Sequence, residues 1–111
     1  MDRPESMTAD ARSAESLDAM FRRLAAVWRA ETGHLSSARK IAAHPAYQQI
    51  VALGSAVVPL LLADLERQPD HWFVALERIT GANPVPPEDR GDVARMAQDW
   101  LRWGREAGYR W

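Results

Sequence analysis

The stretch from His44 to Gly81, HPAYQQIVALGSAVVPLLLADLERQPDHWFVALERITG, most constrains what this chain can become, because glycine and proline cut it into three helical segments. Proline at a first helical position gives up an N–H that would be unpaired anyway, so His44-Pro45 opens a helix and Gly54 closes it. Tyr47, Ile50, Val51 and Leu53 give that helix its apolar face. Pro59 lies in the first turn of the next, whose residues Val57, Val58, Leu60, Leu61, Leu62 and Leu65 are apolar nearly all round, the mark of a helix buried on several sides. Gln68-Pro69 ends it. Asp70 is the expected cap of a third helix in which Trp72, Phe73, Leu76 and Ile79 recur before Gly81 stops it.

Upstream, residues 1–13 are small and polar and read as a loose tail, which leaves 14–111 as a single helical domain. A first long helix capped by Ser13 or Ser16 carries Leu17, Met20, Phe21, Leu24, Val27 and Trp28 at amphipathic spacing and ends at Gly33. Ser36 or Ser37 can cap a short helix, Ala38 to Ala43. Downstream, Ala82–Gly91 holds three prolines and forms a stiff connection. The last helix starts at Asp92, buries Val93, Met96, Ala97, Trp100, Gly104 and Ala107, and closes at Gly108. The expected fold is all-α with about five helices. It comprises two antiparallel hairpins in a stack, with the first helix packed across them.

Two resemblances follow. Leu53-Gly54, a short turn and Val58-Pro59-Leu60-Leu61 resemble a HEAT-like helical hairpin, and Trp72 to Leu101 resembles a degenerate second unit. HPAYQQI, PDHWF, ITGANPVPP and WLRWG, spread over Phe21 to Tyr109, resemble a small uncharacterised bacterial protein family. That resemblance implies a helical bacterial protein and brings no activity with it.

Composition bounds the function. A 111-residue chain that is 47% hydrophobic and 26% charged is an ordinary globular domain rather than a disordered one. The absence of cysteine excludes disulfides and thiolate metal sites and is compatible with a reducing cytoplasm, the expected location. No leader is visible, and the longest apolar run, Ala56 to Ala63, is far short of the ~20 residues of a membrane span. Net charge is −1 but unevenly laid out. Residues 19–63 carry Arg22, Arg23, Arg29, Arg39 and Lys40 against Glu31 alone, whereas residues 64–99 hold eight acids against four arginines. Folding the basic block onto the acidic one is the simplest use of this asymmetry.

Catalytic groups do not converge. His34, His44 and His71 are too far apart in sequence for two imidazoles on one helical face, and each falls at a helix boundary, where a ring nitrogen can satisfy an orphan backbone group. Glu88, Asp89 and Asp92 could hold a hard cation such as Mg²⁺, but acids at the start of a helix are favoured by its dipole in any case. ITGANP lacks the glycines of a phosphate loop, and no nucleophile motif occurs. The chain is therefore read as non-enzymatic, with no cofactor and no metal.

The five tryptophans carry more information. Trp28 and Trp72 belong to the core. Trp100 and Trp103, three residues apart, cannot both be central. That leaves Trp103, Tyr109 and Trp111 beside Arg102, Arg105 and Arg110 as an aromatic, arginine-bearing edge typical of protein interfaces. The alternative for this edge is that the tail folds back and covers the first hairpin. The expected function is a protein–protein interaction module of a bacterial complex, with self-association as a companion expectation for so short a stack. The runner-up is a nucleic-acid-associated regulator, such as an antitoxin or a component of a DNA-processing or defence complex, using Arg22, Arg23, Arg29, Arg39 and Lys40. A metal-dependent hydrolase built on the acidic group ranks third.

Overall fold

In the computed structural model, which describes residues 16–35 and 37–111, the chain is all-α: six α-helices, two 3₁₀ turns and no strand among the described residues. Residues 1–13, expected as a tail, lie outside them. The helices are α1 (Leu17–Thr32), α2 (Ala38–Ala42), α3 (Pro45–Ala52), α4 (Val58–Arg67), α5 (Phe73–Thr80) and α6 (Val93–Glu106). The 3₁₀ turns are Gly54–Val57 and Pro87–Asp89. No single helix is long and apolar enough to cross a membrane.

The boundaries follow local chemistry. Ser16 accepts from the Ala19 N–H to cap α1, Ser37 from Lys40 to cap α2, and Asp92 from Arg95 to cap α6. His44 caps α3 through its ring: Nδ1 accepts from the Ala46 N–H while Nε2 lies 2.6 Å from Glu31 near the end of α1. Gly54 and Gly81, at φ +77° and +73°, make left-handed stops that other residues resist.

Asp70 is not the cap of α5. That helix starts at Phe73 behind Trp72, which supplies no side-chain bond. The Tyr47 hydroxyl on α3 accepts the Ala75 N–H at 2.9 Å and donates to the His71 carbonyl at 2.8 Å. One orphan donor of α5 is thus satisfied from another helix, by a group 28 residues away in sequence.

The principal packings are α3 on α1 and on α5, and α4 on α6. Between α3 and α4 the chain bends by 107°, a more open corner than a full antiparallel reversal. The core beneath them is aromatic at its centre. Trp72 is fully buried, its ring centroid 4.4 Å from Trp28, 5.4 Å from Phe21 and 5.6 Å from Tyr47. Trp28 turns its indole N–H to the Ile41 carbonyl at 2.9 Å, so no polar atom is lost in burying it. As the apolar run required, Val58, Leu61, Leu62 and Leu65 of α4 are all buried. On α6, Ala97, Trp100 and Gly104 are buried as expected and so are Asp99 and Leu101, but Val93 and Met96 are only half-buried, and Ala107, past the helix end, is exposed.

Candidate functional site

The C-terminal edge is built on α6 and the α4 side chains beneath it. Gly104 faces α4 so closely that a Cβ there would lie 2.6 Å from Leu62 Cδ1, and 3.1 Å from the Trp111 ring on its other side. The helix ends at Glu106, and Gly108, at φ +94°, turns the chain back. The Tyr109 N–H then bonds the Gly104 carbonyl at 2.9 Å. This turn delivers Trp111 onto Gly104, where its indole N–H donates to Glu66 Oε1 at 3.0 Å. Arg105 donates to the other oxygen of Glu66 at 2.8 Å and lies 5.4 Å from the Trp111 ring centroid, within cation–π range.

The six edge residues therefore divide. Trp103 is half-buried, edge-on to Trp100 at 5.3 Å and 5.7 Å from Tyr109. Arg102 reaches back to Asp99 at 3.2 Å. Arg105, Tyr109, Arg110 and Trp111 come together with Glu66 around a surface hollow of about 350 Å³. Tyr109 and Trp111 are half-exposed and Arg110 is exposed. The tail does fold back, yet it leaves part of its aromatic surface open.

The basic block is dispersed. Arg29 points inward: its Nε donates to Asp70 Oδ2 at 2.8 Å and its Nη2 to Asp64 Oδ2, with the guanidinium 5.9 and 5.8 Å from the Trp28 and Trp72 ring centroids. Arg22 pairs along α1 with Asp18 at 3.0 Å. Arg22, Arg23, Arg39 and Lys40 are exposed. A groove of about 340 Å³ between α1 and α4 runs past Arg22, Arg29 and Arg67.

Asp64 is the residue that sequence reasoning missed. Only 4% exposed, it accepts from Arg29, from Arg67 and from the Trp72 indole N–H at 2.7 Å. Burial alone would push its carboxyl up, but those three donors outweigh burial and hold it below the ordinary 3.8. The Arg29 guanidinium is likewise raised: burial works against it, and the bonds and charges of Asp70 and Asp64 prevail. A signal was present. Asp64 sits between Leu61 and Leu65 in a helix that is apolar nearly all round, and an acid buried among such neighbours must bring partners with it.

The three histidines do not meet. His34 is exposed, His44 caps α3, and His71 lies before α5 beside a second groove of about 360 Å³ with Phe73, Val74, Glu77, Gly91, Val93 and Met96. In the acidic group, Asp92 is the α6 cap and Glu88 and Asp89 sit in the 3₁₀ turn. Among the described residues no group of three His, Cys, Asp or Glu side chains is placed to hold a metal ion.

Comparison with protein-family models, with curated proteins and with solved structures finds no match to this chain.

Proposed function

We propose that this protein is a non-enzymatic helical interaction module that binds a protein partner through its C-terminal edge. One observation carries the reading: Tyr109, Trp111, Arg105 and Arg110 converge on one hollow while keeping aromatic and cationic surface open to solvent. Tyrosine, tryptophan and arginine are the side chains that most often dominate binding energy at interfaces, and rings already held in place lose little freedom on docking. Trp111, fixed by Glu66 and Gly104, is such a pre-ordered anchor.

The likeness of HPAYQQI, PDHWF and ITGANPVPP to a small bacterial family supports a bacterial complex as the setting. The cysteine-free composition is compatible with the cytoplasm. The module is HEAT-like in its Leu53-Gly54 and Val58-Pro59 corner, opened to 107°. Self-association accompanies this reading, and a strict monomer in light scattering at high concentration would remove it.

Arg110→Glu combined with Trp111→Ala should lower partner recovery at least about tenfold, equivalent to ~1.4 kcal/mol, with the helical circular dichroism unchanged. Unchanged recovery would overturn the proposal.

The second reading, a nucleic-acid-associated regulator, draws on the exposure of Arg22, Arg23, Arg39 and Lys40. It requires salt-dependent binding to DNA that is lost on reversing Arg22 and Arg23. Arg29, two-thirds buried against Asp64 and Asp70, takes no part in it.

A further inference from the structure

The chain's own folding leaves two surfaces incomplete, and they lie at opposite ends of α6. At the start of that helix is the groove of about 360 Å³, to which α6 supplies Val93 and Met96, and α5 supplies Phe73, Val74 and Glu77. The four apolar residues are half-buried and Glu77 is exposed. Among the described residues the Glu77 carboxylate takes part in no hydrogen bond or ion pair. Past the end of the helix, Arg110 is exposed beside the half-exposed rings of Tyr109 and Trp111, and among the described residues its guanidinium is likewise unpaired.

The remaining charges at both places are accounted for. Of those lining the C-terminal hollow, Arg105 and Glu66 hold each other, which leaves Arg110. Of those lining the groove, Glu77 is the one acid. The groove between α1 and α4 differs, because its arginines are matched from within: Arg29 and Arg67 by Asp64, and Arg22 by Asp18.

An apolar slot with one unpaired carboxylate fits an arginine side chain. The aliphatic stem lies along the apolar walls, and the guanidinium, more weakly hydrated than an ammonium, reaches the acid and packs well on a phenyl ring. Arg110 does not meet the groove of its own chain. The tail turns back as far as Gly104, which faces α4 rather than α5 and lies a little over two helical turns, roughly 12 Å, beyond Met96. The hollow and the groove share no residue.

We propose that the α5–α6 groove receives Arg110 of a second copy of this chain, its guanidinium pairing with Glu77 and its stem lying along Phe73 and Met96, so that molecules join head to tail. Tyr109 and Trp111 come with it and cover the mouth of the groove. Two different surfaces meet, so the contact is heterologous, and its repetition closes a ring or extends a chain. Both walls are held before docking, α5 by the Tyr47 hydroxyl on the Ala75 N–H and the start of α6 by its Asp92 cap, which keeps the ordering cost low. The proposal rests on the reading of the C-terminal edge as a binding surface, and makes the chain itself one of the partners that compete for it.

The test is sedimentation velocity of the full chain over a concentration series. The wild-type mass should rise with concentration above that of one chain. Glu77→Arg and Arg110→Glu each set like charges opposite one another, and each should weaken association at least about tenfold. In an equimolar mixture of the two variants, every reversed groove finds a reversed edge and every native groove a native one, so assembly should return to the wild-type level. That rescue separates a lost contact from a misfolded variant. A mixture no better than either variant alone, or assembly unchanged in both single variants, would overturn the self-contact. Glu77→Arg leaves Arg110 and both rings in place, so recovery of an outside partner through the edge should persist in it. A wild-type chain that stays monomeric while that recovery is intact would overturn the self-contact alone.

Discussion

At the scale of single residues, two buried polar groups, Tyr47 and Asp64, tie separate helical segments together across the core. Tyr47 is pushed well above the ordinary phenol range by burial, against the pull of the Ala75 N–H, so it remains a neutral hydroxyl that both accepts and donates. Tyr47→Phe keeps the ring but orphans the Ala75 N–H, and should cost about 1–3 kcal/mol in urea unfolding. Asp64→Asn should cost about 3 kcal/mol, the low end for removing one partner of a buried ion pair, because Arg67 is three-quarters solvated. These two residues also mark the limit of what the sequence disclosed. That Trp28 and Trp72 belong in the core was legible from apolar spacing, and they are 1% and 0% exposed. That Tyr47 would cap a helix far along the chain was not, because nothing in local sequence encodes which helix lies across the core. Asp70 has the local chemistry of a cap, but its two oxygens accept from Arg29 and from the His71 N–H, and the helix starts further on, at Phe73.

At the scale of elements, glycine and proline punctuation sets the helices, and the boundaries at Pro45, Gly81 and Asp92 fall where the sequence places them. Packing was less accessible. α6 meets α4 through Gly104, a residue that the periodicity marked as buried but whose close approach to Leu62 and Trp111 only the tertiary structure discloses. Gly104→Ala should therefore force α4 and the tail apart and cost about 1–3 kcal/mol. The cost of Leu62→Ala in thermal unfolding should be smaller in Gly104→Ala than in the wild-type chain, because the trimmed side chain makes room for the added Cβ. If Gly104→Ala were neutral, the contact would not be the tie described. The candidate edge was legible as a set of residues, but its division into pinned Trp111 and open Arg110 depends on Glu66, a residue with no local signal of that role.

For the whole molecule, one member of the basic block reaches the acidic one. Arg29 bonds Asp64 and Asp70, while Arg22, Arg23, Arg39 and Lys40 stay on the exposed surface. Two carboxyls then give stability opposite dependences on pH. Asp64, held below 3.8, contributes stability that is present above 3.8 and lost as pH falls through its lowered value. Asp99, raised above 3.8, contributes stability that is present below 3.8 and lost as pH climbs. Urea titrations across pH should show a shallower acid decline in Asp64→Asn and a flatter upper limb in Asp99→Asn.

The central claim, a module that meets a protein partner at its C-terminal edge, is tested most directly by photo-crosslinking in the source cells. A photoreactive residue is placed at Arg110 in one chain and at Arg39 in another. A discrete protein adduct from Arg110, reduced by Trp111→Ala and missing from Arg39, is the predicted result. Adducts to nucleic acid from Arg39, with none to protein from Arg110, would contradict it.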